Sequence, residues 1–299
     1  MASNLSAMTE YIAVHQDELI VKASLGAKSL KYFDKMLGVK HSDIVPRLDP
    51  VIVFKDGSEC TWSGQTSDTW GELKIEVNPL EVNKEYCQRE FEKTFGNYQL
   101  KWAAGLETMP YEEKVIEANL QATEDALEDV IWSTGATFGV KGLQALAAEQ
   151  SGSTVNVTFT SAQTIDEKVD AMVAAIPNLA FKAGRDGKVN LFMSYTDFRS
   201  YVQAMNQKCC GKVGLLDAAS EEIVYAGDSR VIIVPVAGLE NANKMFAAPY
   251  EGFVYGTDIE NSESIYDWFF DRVDANYKLR ILFMAGLQIK YPTLTVVGA

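Results

Sequence analysis

The sequence predicts an α+β chain, and three observations carry that expectation. Apolar residues recur at helical spacing through the first forty residues and again over 111–132. Between about 151 and 250, short β-branched runs alternate with helical stretches. The tail is dominated by strands, with Leu279, Ile281, Phe283, Ala285, Leu287 and Ile289 at a strict spacing of two, which is one continuously buried face.

At the N-terminus, Tyr11, Ile12, Leu19, Ile20, Ala23, Ala27, Leu30, Phe33 and Leu37 fall near a 3.6 period. The expected helix is interrupted at Gly26 and closed by Gly38. Its apolar stripe needs a cover, either its own core or a neighbouring copy, and both alternatives stand at this point. From Val45 the texture changes. Val51-Ile52-Val53-Phe54 reads as a strand, Lys55-Asp56-Gly57-Ser58 as a turn and 61–69 as a polar excursion. Leu73, Ile75 and Val77 then alternate with Lys74, Glu76 and Asn78 as a half-exposed strand. Two strands flanking a polar excursion make an extended hairpin with little core of its own, which must rest on a neighbour.

A helix is expected over 83–95, with Asn83 as its N-cap after Pro79. A stronger one follows Met109-Pro110, with Glu112 and Glu113 near its positive end. Ile116, Leu120, Leu127 and Ile131 trace its apolar stripe, while Glu117, Glu124, Asp125, Glu128 and Asp129 occupy the rest. Over 111–132 that is ~33 Å of one-sided acidic helix, ended by Gly135 and Gly139. Residues 135–155 are rich in Gly, Ala and Ser and read as a surface loop or a joint. Beyond it come a strand over 155–159, a helix over 165–176 capped by Thr164, a strand over 189–193 and a helix over 195–208. Strands over 222–225 and 231–234 are joined by the turn Ala226-Gly227-Asp228-Ser229. Strands at 253–255, 265–270 and 279–289 complete the chain.

Composition narrows the function. The 299 residues carry 27 Lys+Arg against 41 Asp+Glu, a net charge of −14, which argues against a protein whose task is gripping phosphates. No run approaches the ~20 apolar residues of a membrane-spanning helix. The first eleven residues lack the basic and apolar regions of a signal peptide, so a cytoplasmic origin is expected and the sequons at Asn4 and Asn156 carry no meaning. The cysteines, Cys60, Cys87 and the neighbours Cys209 and Cys210, show no C-x-x-C spacing and read as small buried hydrophobes.

The search for chemistry returns negatives. Gly135-Ala-Thr-Phe-Gly139-Val-Lys141-Gly142 has the wrong spacing for a phosphate loop and follows a helix instead of a strand. His15 and His41, the only two histidines, read as surface or packing residues. Asp267 with Asp271 and Glu221 with Glu222 are carboxylate pairs that 41 acids produce by chance. Tyr266, Trp268, Phe269 and Phe270 read as core and interface, since no Arg or Lys is interleaved with them as a nucleic-acid platform requires. No catalytic, cofactor-binding or metal-binding residue is expected, and no cofactor.

Three stretches carry a resemblance. They are Thr108-Met-Pro-Tyr-Glu-Glu113 leading to Asp129-Val-Ile-Trp132; Gly256-Thr-Asp-Ile259 followed by Ile265-Tyr-Asp-Trp-Phe-Phe270; and the ending 277–292. With the order of elements, they resemble the major capsid proteins of tailed bacteriophages, the Hong Kong 97-type fold shared with encapsulins. The resemblance implies an N-terminal arm at 1–45, an extended loop at 46–80, a peripheral domain from 81–150 and 251–299 with the long spine helix, and an axial domain at 151–250. It implies self-assembly through hexamers and pentamers into an icosahedral virion shell. That shell, built in the host cytoplasm, encloses double-stranded DNA without reading its sequence. Scaffolding, portal and decoration proteins are the implied partners, with no membrane. Some relatives carry a cleaved N-terminal scaffolding segment; none of that length precedes this arm, so a separate scaffolding protein or a chain numbered after processing is expected. The competing readings are an encapsulin compartment, a tail-tube or other virion protein, and, in a different class, an acidic α/β hydrolase centred on 151–250. The last requires a cleft holding a carboxylate of raised pKa.

Overall fold

The computed structural model describes residues 3–49, 69–103, 111–183, 187–208, 222–240, 242–258, 265–274 and 276–299. Helix α1 (Ser3–Leu25) turns Ile12, Leu19, Ile20 and Ala23 inward, against helix α3 (Tyr111–Ile131) and strand β13 (Ile265–Asp271). The choice left open by the sequence is thereby decided: the N-terminal helix docks on its own core. It does not run to Gly38. At Gly26 the chain lies so close to α3 that a Cβ would overlap the Glu124 side chain. A single 3-10 turn, Lys28–Tyr32, follows, and then β1 (Asp34–Leu37). Leu30 and Phe33 are buried, but Leu37 is 60% exposed, so the apparent helical stripe dissolves there.

Strands β2 (Ser42–Asp49) and β3 (Thr69–Glu76) form an antiparallel hairpin, Ser42 opposite Glu76 and Asp49 opposite Thr69. The expected strand at 51–54, the turn at 55–58 and the polar residues 61–68 lie outside the described residues. The helix expected over 83–95 is displaced: residues up to Cys87 form β4 (Asn78–Cys87), and α2 spans Gln88–Ala103. Asn83 is therefore a mid-strand residue opposite Arg280, not a cap. The cause is long-range pairing, since all ten residues of β4 match β14 (Asn276–Ile289). The segment 135–155 is also more ordered than expected. A tight hairpin of β5 (Ala136–Thr137) and β6 (Val140–Lys141) turns at Phe138 and Gly139, both at positive φ. Helix α4 (Leu143–Glu149) then buries Leu143, Leu146 and Ala147.

Two sheets organise the rest. In the first, β1 runs parallel to β12 (Phe253–Thr257), which pairs with the C-terminal half of β14. The N-terminal half of β14 pairs with β13, and β4 lines its other edge. The second sheet has the order β7 (Val155–Val157), β15 (Val296–Gly298), β11 (Met245–Pro249), β8 (Val189–Ser194), β10 (Val231–Val236), β9 (Ile223–Val224). Strand β15 thus leaves the first sheet, which holds β12, β13 and β14, and pairs with β11 and β7.

Every residue of β8 and β10 is buried, because the second sheet is covered on both faces. One face meets α5 (Ile165–Ala175) and α7 (Tyr195–Lys208) through Val169, Met172, Phe198 and Tyr201; the short α6 (Ala180–Ala183) packs there too. The other face meets the first sheet around Trp132. Its ring lies 5.2 Å from Phe192 and 5.4 Å from Phe246, while Phe33 and Phe253 close the group at 5.3 Å from each other. Helix α5 begins with a capping box, Thr164 and Glu167 each binding the other's backbone; the sequence places the cap at Thr164 but not the return bond from Glu167.

Candidate assembly surfaces

The residues singled out in the sequence do not converge. His15 stacks on Tyr11 at 4.5 Å and lies 3.5 Å from Glu18, whereas His41 is exposed at the hairpin base, its carbonyl accepting from Val77 N. Lys141, of the rejected phosphate loop, pairs with Glu149 at 2.8 Å. Asp271 pairs with Lys278, Asp267 lies opposite Arg280, and Glu222 accepts from the Tyr32 hydroxyl at 3.0 Å; Glu221 lies outside the described residues. Tyr266 and Trp268 are buried while Phe269 is 42% exposed, so the aromatic run divides between core and surface. Cys87 corrects an expectation: it is exposed, because odd-numbered residues of β4 point away from the core. Cys60, Cys209 and Cys210 lie outside the described residues.

A cleft of about 410 Å³ separates α1 from α3, lined by Tyr11, Lys22, Glu113, Glu117 and Glu124 among others. Burial, with Asp125 beside it, raises the Glu124 carboxyl above the usual carboxylate range, and Lys22 partly opposes this. Burial also raises Tyr11, with Glu113 adding to it. Lys22 is itself paired with Glu18 at 2.8 Å. Among the described residues the cleft does not bring a nucleophile and a base into hydrogen-bond contact.

The surface is more informative. The base of the hairpin is anchored by a small apolar cluster of Val39, Val45, Ile75, Val77, Val254 and Met284. Polar contacts reinforce it: Gln288 Nε2 donates to the Lys74 carbonyl at 2.7 Å, and Gln150 Nε2 donates to Gln288 Oε1 at 3.1 Å. Here β14 carries Gly286, where a Cβ would overlap the Glu76 carbonyl oxygen. Of the hairpin's eight register pairs, the four from Pro46–Glu72 to Asp49–Thr69 lie beyond this base. Ile44, on the hairpin, is 50% exposed.

A second surface is the outer face of β4, β14 and β13. Ionic and polar pairs cross it: Arg280 to Glu81 at 2.7 Å, Asn276 to Glu85 at 2.7 Å, and Lys278 to Asp271 and Asp274 at 2.7 and 2.8 Å. Its turn carries Val273, 91% exposed. A third lies on the second sheet's margin, where Leu179 and Val224 are 58% and 52% exposed. There Arg230 sits 4.2 Å over the Phe181 ring, and the Tyr225 hydroxyl donates to Asp170 at 2.6 Å. Hydrogen bonding to Asp170, with some burial, pushes Tyr225 up to about 12. Singly exposed apolar side chains are ordinary, and Val14 on α1 and Leu100 on α2 are exposed as well. None of them stands out in the sequence, because their exposure depends on partners distant along the chain.

No protein-family model matches this sequence. No curated protein matches it either. The fold is another matter. The chain is similar to a subunit of the satellite phage P4 procapsid, with a TM-score of 0.64 at 8% identity over 95% of this chain and 90% of that one. It is similar to a capsid chain of a native GTA particle, with a TM-score of 0.55 at 12% identity over 93% and 89% of the two chains. It is also similar to the virus-like particle of Pyrococcus furiosus, with a TM-score of 0.52 at 10% identity over 94% and 96%. Likeness of this extent at such low identity shows the fold: the chain has the α+β architecture of Hong Kong 97-type capsid proteins.

Proposed function

We propose that this chain is the major capsid protein of a tailed phage, many copies of which close into an icosahedral shell of hexamers and pentamers around double-stranded DNA. The observation that carries the reading is the likeness to a procapsid subunit along 95% of the chain. In this reading residues 1–45 are the N-terminal arm, with α1 folded onto its own spine helix, and 46–80 the extended loop. Residues 81–150 and 251–299 build the peripheral domain, and 151–250 the axial domain, to which β15 contributes the chain end. The hairpin extends ~26 Å over its eight-residue strands. Anchored at its base, it is placed to rest on an adjacent copy. Summed over neighbours, contacts of this kind exceed the ~1,600 Å² of one ordinary pairwise interface, so the lattice supplies stability that no single contact does.

The charge fits the task. A net charge of −14 makes a wall that repels phosphates and leaves packaged DNA mobile. The exposed row Glu117, Asp125 and Asp129 on α3 is the face we assign to the lumen. Scaffolding, portal and decoration proteins are the partners this role calls for; DNA is enclosed and not read, and the place of action is the virion, after assembly in the host cytoplasm. The chain acts as a structural subunit and not as an enzyme.

Negative-stain electron microscopy with sedimentation of the purified protein tests this. Closed shells or hexameric capsomers are expected, binding DNA weakly at low salt. A monodisperse 33.0 kDa monomer at high concentration defeats the proposal. A second reading, a cellular compartment shell, draws on the likeness to the Pyrococcus furiosus particle. Particles rich in nucleic acid, and portal and tail genes beside this one, favour the virus over the compartment.

A further inference from the structure

The turn between β5 and β6 carries an aromatic ring at its tip. Ala136 pairs with Lys141 and Thr137 with Val140, which leaves a two-residue loop of Phe138 and Gly139. Both residues have left-handed backbones, with φ of +52° at Phe138 and +86° at Gly139. Two-residue loops of that kind favour Asn-Gly, because Asn tolerates the left-handed region and Gly enters it freely. A bulky side chain there is an outlier. Its own chain gives the ring little in return, since Phe138 is 80% exposed. Val14 and Leu100 are exposed on helices, where the side chain does not strain the backbone; Phe138 combines exposure with strain.

The tip is tied down on every side. Val140, beside it, is 1% exposed, and the Gly139 carbonyl accepts from Asn78 Nδ2 at 2.9 Å. The Gly135 carbonyl accepts from Gly142 N at 3.2 Å and from Ser133 Oγ at 2.9 Å. Asn78 opens β4 just after β3 ends at Glu76, so the ring is fixed to the base of the hairpin. The charges beside it are matched within the chain. Lys141 bonds both oxygens of Glu149, at 2.8 and 3.0 Å, and Lys74 meets Glu76 at 2.7 Å. These four line a cavity of about 210 Å³ that Gly139 also lines. Two cations and two carboxylates leave the patch without net charge, on a chain of net charge −14. Copies of an acidic chain repel one another through their acidic faces. Here a second copy can approach without that repulsion, and neither a polyanion nor a basic peptide finds an unmatched charge to bind.

We propose that Phe138 is a preset anchor between copies of this chain. The strained turn presents the ring, which packs against apolar side chains of a second copy, and the matched charges form a polar rim around the contact. The backbone under the ring is already fixed, so little ordering is left for the moment of contact. Strain held in a free chain and useful only in a complex is the signature of such a site. The inference rests on the shell reading and deepens it, by naming a side chain that holds copies together.

Phe138→Asn tests it, since that variant relieves the turn and deletes the ring at once. Held below its assembly concentration, the variant chain is expected to melt about 2 °C above wild type. In sedimentation and electron microscopy it is expected to need about ten-fold more chain than wild type before assemblies form. Phe138→Leu keeps an apolar side chain on the same strained backbone and stays nearer wild type on both counts. An Asn variant that assembles at the wild-type concentration overturns the anchor and leaves the shell reading standing. So does one that melts below wild type, because the ring then serves its own chain. Wild-type chains that form no assembly remove the shell reading itself, and the anchor falls with it.

Discussion

Gly286→Ala places one methyl group where the hairpin meets the first sheet. The new Cβ overlaps the Glu76 carbonyl oxygen and lies 2.8 Å from Val77 Cγ1 and 2.9 Å from the Glu76 carbonyl carbon. Carbon atoms settle at about 3.5–4.0 Å, so the end of β3 must retreat by roughly 1 Å. The obstacle is backbone and cannot swing aside. Glu76 is held in register with Ser42, Val77 N donates to the His41 carbonyl at 3.0 Å, and Gln288 grips Lys74 at 2.7 Å. Overpacking of this kind costs about 1–3 kcal/mol. Restricting the unfolded chain by replacing a glycine returns about 0.4–1 kcal/mol, which leaves a net loss of up to about 2.6 kcal/mol. The geometric effect is larger than the energetic one: a 1 Å shift across the two residues from Ile75 to Val77 tilts an eight-residue hairpin by roughly 4 Å at its far end. Urea unfolding followed by circular dichroism, beside shell yield by microscopy, reads both effects. A modestly lowered midpoint with severely reduced assembly is expected, whereas Gly135→Ala, where a Cβ meets nothing within 4 Å, leaves both unchanged. Wild-type stability and normal shells in Gly286→Ala would refute the account of the hairpin anchor.

Phe283 is 3% exposed opposite Leu80, so Phe283→Asp loses about 3–5 kcal/mol of packing and buries a carboxylate at several more, enough to abolish soluble expression. Phe283→Leu costs under about 1.5 kcal/mol and expresses; a soluble, cooperatively unfolding Asp variant contradicts this placement. Thr164→Ala removes half of the α5 capping box and lowers stability by about 1 kcal/mol in urea melts, with Thr164→Ser near wild type. Tyr225 holds its proton to about 12, against about 10 in an unfolded chain, so stability drops as pH climbs through that window. Asp170→Asn flattens the alkaline slope, and an unchanged slope shows that the 2.6 Å bond does not control it.

Elements legible in the sequence are those whose local period coincides with their burial. Helix α3 reads directly because Ile116, Leu120, Leu127 and Ile131 are both periodic and inward-facing, and α7 begins and ends where its pattern does. Strand β4 was hidden for the opposite reason. Its alternation of Leu80, Val82 and Tyr86 was present, but the partner that makes a strand of it, β14, lies some two hundred residues away in register with every one of its positions. Strand β2 holds Asp43, Pro46, Arg47 and Asp49 and offers no alternation at all; pairing with β3 alone defines it. Glu128 was the least legible. In sequence it is one more acid on an acidic helix face, and only the approach of Ser29, ninety-nine positions earlier, buries it.

The same distinction separates folding from assembly. Strands β8 and β10 are buried on both faces, and Trp132 joins the two sheets through Phe192 and Phe246, so among the described residues the two sheets share an interior built within one copy. Besides Phe138, the surfaces proposed for neighbours are the hairpin beyond its anchor, the ion-paired face of β4, β14 and β13, and the margin at Leu179 and Val224. Substitutions near Trp132 act on the chain before any contact between copies exists. In the proposed shell, substitutions at the three surfaces would act on contacts whose other half belongs to another copy, and for that reason a single sequence conveys the interior far better than any such contact.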